Sequence, residues 1–309
     1  MPLAYGGTVD FMSKFTPSAW WTRIKGSKSI PNGPSPPTVF MGVPPMYNYI
    51  LAQYDKMDDV RQAEARRAVQ GLRLAISGSS ACPVPILERW RAIAGDYLLE
   101  RFGMTEIGMA VSNPLAGPRL AGTVGPPLPL VTAKLSGSGE LLVKGPTLFK
   151  EYWRRPEATQ EAFDEDGFFK TGDASSMRLG PLPDRLPYYV IEGRLSVDII
   201  KCLGFKVSAL HVESVIMENP SLAEIAVVGV KDDSYGERIV AIVAFSDKVK
   251  GTRKPSANEL REFSVDRLAP YQVPRDWHVV DAIPRNAMGK VNKKDLVKRL
   301  IAGEFESLK

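Results

Sequence analysis

Four short segments hold most of the residues able to do chemistry. They are Arg101-Phe102-Gly103-Met104-Thr105-Glu106-Ile107-Gly108, Lys170-Thr171-Gly172-Asp173, Gly193-Arg194 with Asp198 to Lys201, and Pro284-Arg285-Asn286-Ala287-Met288-Gly289-Lys290. Together they supply carboxylates, a hydroxyl, guanidinium and ammonium groups, and glycines. That is the toolkit for holding and neutralising a multiply charged anion. Other chemistries are poorly supplied. The two histidines, His211 and His278, and the two cysteines, Cys82 and Cys202, form no metal-ligand cluster or disulfide framework, and they speak against a His-based triad or zinc site. Neither Gly-x-x-x-x-Gly-Lys-Ser/Thr nor Gly-x-Gly-x-x-Gly occurs, so a nucleotide site here is of another kind.

The elements that must position these segments are readable in outline. At 309 residues, about 150 per domain gives two domains. The 44% hydrophobic and 24% charged residues suit a folded globular chain rather than a disordered, collagenous or coiled-coil one. Carrying 26 glycines and 25 prolines, it reads as a loop-rich α/β and α+β protein, not a helical bundle. The net charge of +5 is spread evenly, with no aromatic-interleaved basic patch for nucleic acid. No stretch reaches the roughly 18–20 apolar residues of a membrane span, and no signal peptide follows Met1.

Residues 1–40 read as breaker-rich. Thr38–Val43 reads as a strand, Met46–Tyr54 as a helix opened by Pro44-Pro45, and Asp58–Gln70 as a charged helix capped near Gly71. A strand Leu72–Ser77 leads into Gly78-Ser79-Ser80. A helix follows from Pro83 or Pro85 through Ile93, then a strand Tyr97–Phe102. This alternation predicts a mostly parallel sheet that binds ligands at its strand C-termini. From about residue 122 the texture turns β-rich, with runs at Val131–Leu135 and Glu140–Lys144, suggesting a small β-barrel-like subdomain. Gly193-Arg194 reads as a linker. The remainder reads as a small α/β domain: helix Ala209–Glu218, strands Leu222–Val230 and Glu237–Phe245, helix Ala257–Leu268, and a last helix from Lys293.

In this order the four segments resemble the signatures of the acyl-CoA synthetase, peptide-synthetase adenylation domain and luciferase superfamily, over nearly the whole chain. The resemblance implies the second half of a large adenylate-forming domain, residues 1–193, followed by a small mobile C-terminal domain, residues 194–309. It implies ATP, Mg²⁺ and coenzyme A as substrates and metal, with a small carboxylic acid as partner. The acid attacks the ATP α-phosphate, and a thiol then takes the acyl group. Lys290 would bridge α-phosphate and carboxylate. Thr105 would donate to phosphate, and Glu106 would hold Mg²⁺. Asp173 would accept the ribose hydroxyls with Arg194 in support. Gly78, Ser79 and Ser80 would let adenine approach the backbone, while Phe102, beside Gly103, stands where Tyr is usual. Asp198 would be the hinge and Gly204 part of a pantetheine tunnel. Ser112 to Arg119 and Ser196 to Leu210 resemble the malonyl-CoA synthetase branch, where an arginine at the place of Arg119 binds the distal carboxylate.

Plainer readings stand beside these. Thr-Gly-Asp on its own is commonly a turn, and Asp173 could cap a helix. Arg119 could serve a surface ion pair. Lys293 and Lys294 read as a solvated helix face. The family's Ser/Thr/Gly-rich phosphate loop ending Pro-Lys-Gly has no counterpart, and Gly26-Ser27-Lys28-Ser29 does not match it. The expectation is a chain that begins partway through the large domain, with an unpaired sheet edge and exposed apolar surface. Two alternatives follow: a non-catalytic remnant that binds AMP or a partner, and a ligase for a fatty or aromatic acid. The two cysteines suit a reducing intracellular compartment, mitochondrial or cytoplasmic.

Overall fold

The computed structural model describes residues 2–26, 35–182, 185–249, 253–286 and 290–309. The chain divides into two compact units, Met1–Phe102 with Ser112–Gly125, and Gly103–Val111 with Pro126–Lys309. The boundary expected after Gly193 falls inside the second unit.

The first unit runs α1 (Pro17–Lys25), β1 (Val39–Gly42), α2 (Pro44–Tyr54), α3 (Asp59–Gln70), β2 (Leu74–Ser77), α4 (Val84–Ala94) and β3 (Leu99–Met104), whose last two residues belong to the second unit. β1 pairs with β2 and β2 with β3, both parallel. The helices are the crossovers that parallel pairing requires. Asp58 caps α3 by accepting from the Arg61 N–H, with Gly71 at its C-cap. The breaker-rich start conceals α1. Thr16 accepts the Ala19 N–H, and Pro17 occupies the first turn, where no donor is missed. Trp20, Trp21 and Ile24 are all buried. Trp20 and Trp90 lie 6.4 Å apart, and Tyr47 sits 5.0 Å from Trp90 in edge geometry. These rings, with Ile50, Leu51 and Leu87, make the core of this unit.

In the second unit, β4 (Gly108–Ser112), whose last residue belongs to the first unit, is followed by β5 (Thr132–Leu135), β6 (Glu140–Lys144), α5 (Pro156–Glu161), β7 (Phe169–Leu179) and β8 (Pro187–Arg194). The last four strands form an antiparallel sheet in the order β5-β6-β7-β8. Two readings are corrected here. Thr171-Gly172-Asp173 is no isolated turn but lies within the eleven-residue β7. Gly193-Arg194 is no linker but the end of β8, where Asp173 pairs with Arg194 and Ala174 with Gly193. The ladder holds both because a register shift between Ala174 and Ser175 absorbs the irregularity. Gly193 has φ 126°, which favours glycine, and a Cβ there would collide with the Asp198 side chain.

The chain continues with β9 (Ile199–Cys202), β10 (Phe205–Ser208), α6 (Ala209–Ile216), β11 (Leu222–Asp232), β12 (Gly236–Phe245), α7 (Ala257–Val265), β13 (Asp276–Val279), α8 (Lys293–Ile301) and β14 (Glu306–Ser307). One sheet holds them in the order β10-β9-β12-β13-β14, with β11 also on β12. Both faces of the β11–β12 hairpin are buried. Val227, Ile239, Ala241 and Val243 join one core, and Ala226, Val228, Val240 and Ile242 join another with Leu296 of α8. Burial on both faces explains why these strands read as continuous apolar runs instead of alternating ones. The mixed α/β expectation with a C-terminal α/β region therefore holds.

Candidate functional site

In the first unit, Gly78-Ser79-Ser80 follows β2 at the C-terminal end of the parallel strands. Ser79 has φ 74°, a left-handed conformation that costs a non-glycine residue energy and often marks a functional loop. A Cβ on Gly78 would stand 3.1 Å from Nη1 of Arg101, so the guanidinium lies against the loop backbone. Glu100 anchors the far end of the loop. It is 5% exposed, and its Oε1 accepts the Cys82 N–H at 3.0 Å. Burial pushes its carboxyl up to about 8, moderated by backbone N–H groups of Cys82 and Gly122. Burial, then the nearby Glu100 charge, also pushes the Cys82 thiol up. Sequence reading missed Glu100, whose only signal is a carboxylate directly after the apolar pair Leu98-Leu99. Phe102 is half-buried on β3.

Arg119 is far from free. Its guanidinium donates to the carbonyls of Tyr97 at 2.6 Å, Pro114 at 3.3 Å and Leu115 at 3.3 Å. It also pairs with Asp96 at 3.1 Å, its own side chain being 9% exposed. Ser112 donates to the Asn113 carbonyl at 2.8 Å.

In the second unit, Gly103 is required because a Cβ would collide with the Gly108 carbonyl. Thr105 and Glu106 occupy the turn after β3, with Thr105 exposed. Glu106 Oε1 accepts from the Tyr152 hydroxyl at 3.0 Å, and its carbonyl accepts the Phe149 N–H at 2.7 Å. Tyr152, also missed from sequence, is raised by burial and by this carboxylate.

β7 and β8 bring Asp173 and Arg194 together. Asp173 Oδ1 meets Arg194 Nε at 3.1 Å, and Arg194 Nη1 donates to the Thr171 carbonyl at 3.0 Å. Asp173 is 4% exposed. Burial lifts its carboxyl to about 6, against the lowering effect of Arg194. Its Oδ2 is buried with no hydrogen-bond partner among the described residues. Such an orphaned acceptor costs free energy unless something donates to it.

Asp198 accepts the Arg194 N–H at 2.9 Å. Gly204 closes the β9–β10 hairpin with φ 83° after Leu203 at φ 50°, the pairing a two-residue hairpin turn demands. A Cβ on Gly204 would meet nothing within 4 Å. Lys290 is exposed, its N–H bonded to Asn286 Oδ1 at 2.9 Å and its carbonyl accepting the Asn286 N–H at 2.9 Å. Ala287, Met288 and Gly289 of that motif lie outside the described residues.

Lys293 corrects the solvated-face reading. Its side chain is 10% exposed, and Nζ meets Asp198 Oδ1 at 2.7 Å and Glu213 Oε1 at 2.8 Å. Lys294, its neighbour, is exposed. No group of three metal-ligating side chains occurs among the described residues, and no described helix is long and apolar enough to cross a membrane.

Residues 1–153 match the AMP-binding enzyme family, and residues 211–290 match the AMP-binding enzyme C-terminal domain. The chain is 46% identical to a malonate–CoA ligase of Arabidopsis thaliana, over 97% of this chain and 51% of that protein. It is 41% identical to a mitochondrial malonate–CoA ligase of Bos taurus, over 98% of this chain and 55% of that one. It therefore spans about half the length of the curated relatives it matches. Among solved structures, ATP-bound MatB from Rhodopseudomonas palustris superposes with a TM-score of 0.76 at 34% identity, over 93% of this chain and 54% of that one. With both family descriptions matched in order along one chain, this protein belongs to the AMP-binding enzyme family.

Proposed function

We propose that this chain is the nucleotide-handling and C-terminal part of an ATP-dependent acid–CoA ligase acting on malonate or methylmalonate. The observation that carries the reading is the unpartnered Oδ2 of Asp173 beside Arg194. A buried carboxylate oxygen fixed on a rigid ladder, with its other oxygen already bound to a cation, suits the hydroxyl donors of a ribose. The Arabidopsis and Bos taurus relatives support malonate as the acid.

In the first step two anions meet, so the protein contributes position and neutralising charge. Lys290, exposed on its loop, supplies the cation for the α-phosphate and the attacking carboxylate. Thr105, exposed in its turn, donates to phosphate. Glu106 offers the single carboxylate that Mg²⁺ takes together with substrate phosphates, and the ion when bound would spread the phosphate charge. Asp198, with Arg194 and Gly193, forms the segment about which the C-terminal region turns for thioester formation, and Gly204 lies on the pantetheine path.

A second carboxylate on the acid calls for a cation in the first unit. Arg119 is the candidate from resemblance, yet it is engaged by three carbonyls and Asp96. Arg101, resting on the Gly78 loop, is the second candidate. The test is thioester formation by the chain with malonate, methylmalonate and a medium-chain acid, for the wild type, Arg119→Ala and Arg101→Ala. The true carboxylate partner raises the malonate KM by about tenfold or more while leaving the KM for ATP nearly unchanged. Equal turnover of the medium-chain acid, which lacks a second carboxylate, rejects the dicarboxylate assignment. AMP binding without turnover supports the non-catalytic alternative.

A further inference from the structure

Lys293 is a buried cation that the reaction above does not use. Its partners come from separate parts of the second unit. Asp198 lies just after β8, and Glu213 lies on α6. Each carboxylate also holds a backbone N–H. Asp198 Oδ2 accepts from Arg194 at 2.9 Å, and Glu213 Oε1 accepts from Val227 of β11 at 2.8 Å. The Asp198 carbonyl accepts the Ala209 N–H at 2.8 Å, at the start of α6. Asp198 also packs against the glycine-only position 193. One ammonium group thus ties α8, α6, β11 and the end of β8 together. Lys293 is the first residue of α8, and the loop that presents Lys290 runs directly into it. Burying one cation between two carboxylates is costly unless all three are held in good geometry. Each carboxylate holds its own backbone N–H, and the Lys293 ammonium is the group that the two contacts share.

We propose that Lys293 is a positioning residue for Lys290, pinning the start of α8 to Asp198 and Glu213 so that the Lys290 loop and the Gly193–Asp198 segment hold one fixed relation. The catalytic side of this inference rests on the role given to Lys290 above, whereas its geometric side does not.

The experiment is amide hydrogen exchange on the 309-residue chain, read at Arg194, Val227 and Lys290, with the Glu259 amide, bonded to Ser256 at the α7 cap, as the internal control. Lys293→Met should speed exchange by about tenfold or more at all three amides and leave Glu259 unchanged. Asp198→Asn, which keeps Lys293, should loosen Arg194 but not Val227. Glu213→Gln should loosen Val227 but not Arg194. Lys293→Arg should restore protection at Arg194 and Val227. Uniform loosening that includes Glu259, or no change at Lys290, overturns the proposal. If Lys293→Met does not fold, exchange at Lys290 in Asp198→Asn and Glu213→Gln decides it: faster exchange there supports the proposal, and no change at Lys290 in either variant overturns it. In parallel, acid-dependent exchange of pyrophosphate into ATP should lose about tenfold in kcat in Lys293→Met, with KM for ATP within about twofold. A change confined to KM overturns the positioning role. A wild type without this exchange contradicts the ligase reading, while the amide pattern still decides whether Lys293 pins the loop.

Discussion

The two units bury carboxylates in opposite ways. In the first, Glu100 is answered among the described residues by backbone N–H groups and is pushed up to about 8. In the second, Glu213 is less enclosed, its side chain 16% exposed, and burial raises it too, but it shares the Lys293 ammonium with Asp198 and accepts the Val227 N–H. Dipoles hold a loop, whereas an ion cluster locks several elements. The first arrangement tolerates a neutral carboxyl and the second depends on charge.

The sharpest way to break this contrast is Lys293→Met. Leaving two buried carboxylates without their cation should cost about 3–5 kcal/mol of stability, measured by urea unfolding. A loss below about 1 kcal/mol would place the cluster with ordinary surface pairs.

Glu100 gives the next effect. Its folded-state value of about 8 lies above the ordinary carboxyl value of 4.5, so the folded protein binds more protons than the unfolded chain between those values. Its contribution is fully present below about 4.5 and is lost as pH rises through about 8. Glu100→Gln, neutral throughout, should flatten that decline in urea midpoints from pH 5 to 9. An unchanged slope would show that the carboxyl is charged and well solvated.

Asp173 repeats the pattern in a smaller window. Its contribution to stability is lost as pH rises from 3.8 through about 6. Ribose hydroxyls donate best to the ionised form, so AMP affinity should fall about tenfold per pH unit below 6, measured by calorimetry. Asp173→Asn should bind weakly and without that pH dependence. Arg119→Ala is the mildest case, costing about 1–2 kcal/mol as its carbonyl partners lose their donor. A larger malonate KM change than stability change would restore its substrate role.

The same contrast explains what was legible in the sequence. Helices α2, α3 and α4 and strands β6, β11 and β12 announce themselves through periodicity, caps and apolar runs. Helix α1 is hidden because its burial rests on ring contacts with Trp90 and Tyr54, which no local pattern reports. Gly193-Arg194 looked like a linker because a glycine and a charge seldom end a strand. Only pairing with Asp173 explains them. The motif order singles out Asp173, Arg194, Glu106 and Lys290 as candidates. The groups that hold site residues in place, Glu100, Tyr152 and Lys293, depend on partners 18, 46 and 95 positions away, beyond any local window. Lys293 is the clearest case, because a helix's own periodicity cannot show that an end residue is buried by a different segment.

In the proposed function this chain brings ATP and a dicarboxylic acid together. This is tested most directly by malonate-dependent exchange of labelled pyrophosphate into ATP, with Lys290→Ala as the partner variant. Exchange should require malonate, far exceed that with a medium-chain acid, and fall by about a hundredfold in Lys290→Ala. Exchange that ignores malonate, or that survives loss of Lys290, would contradict it.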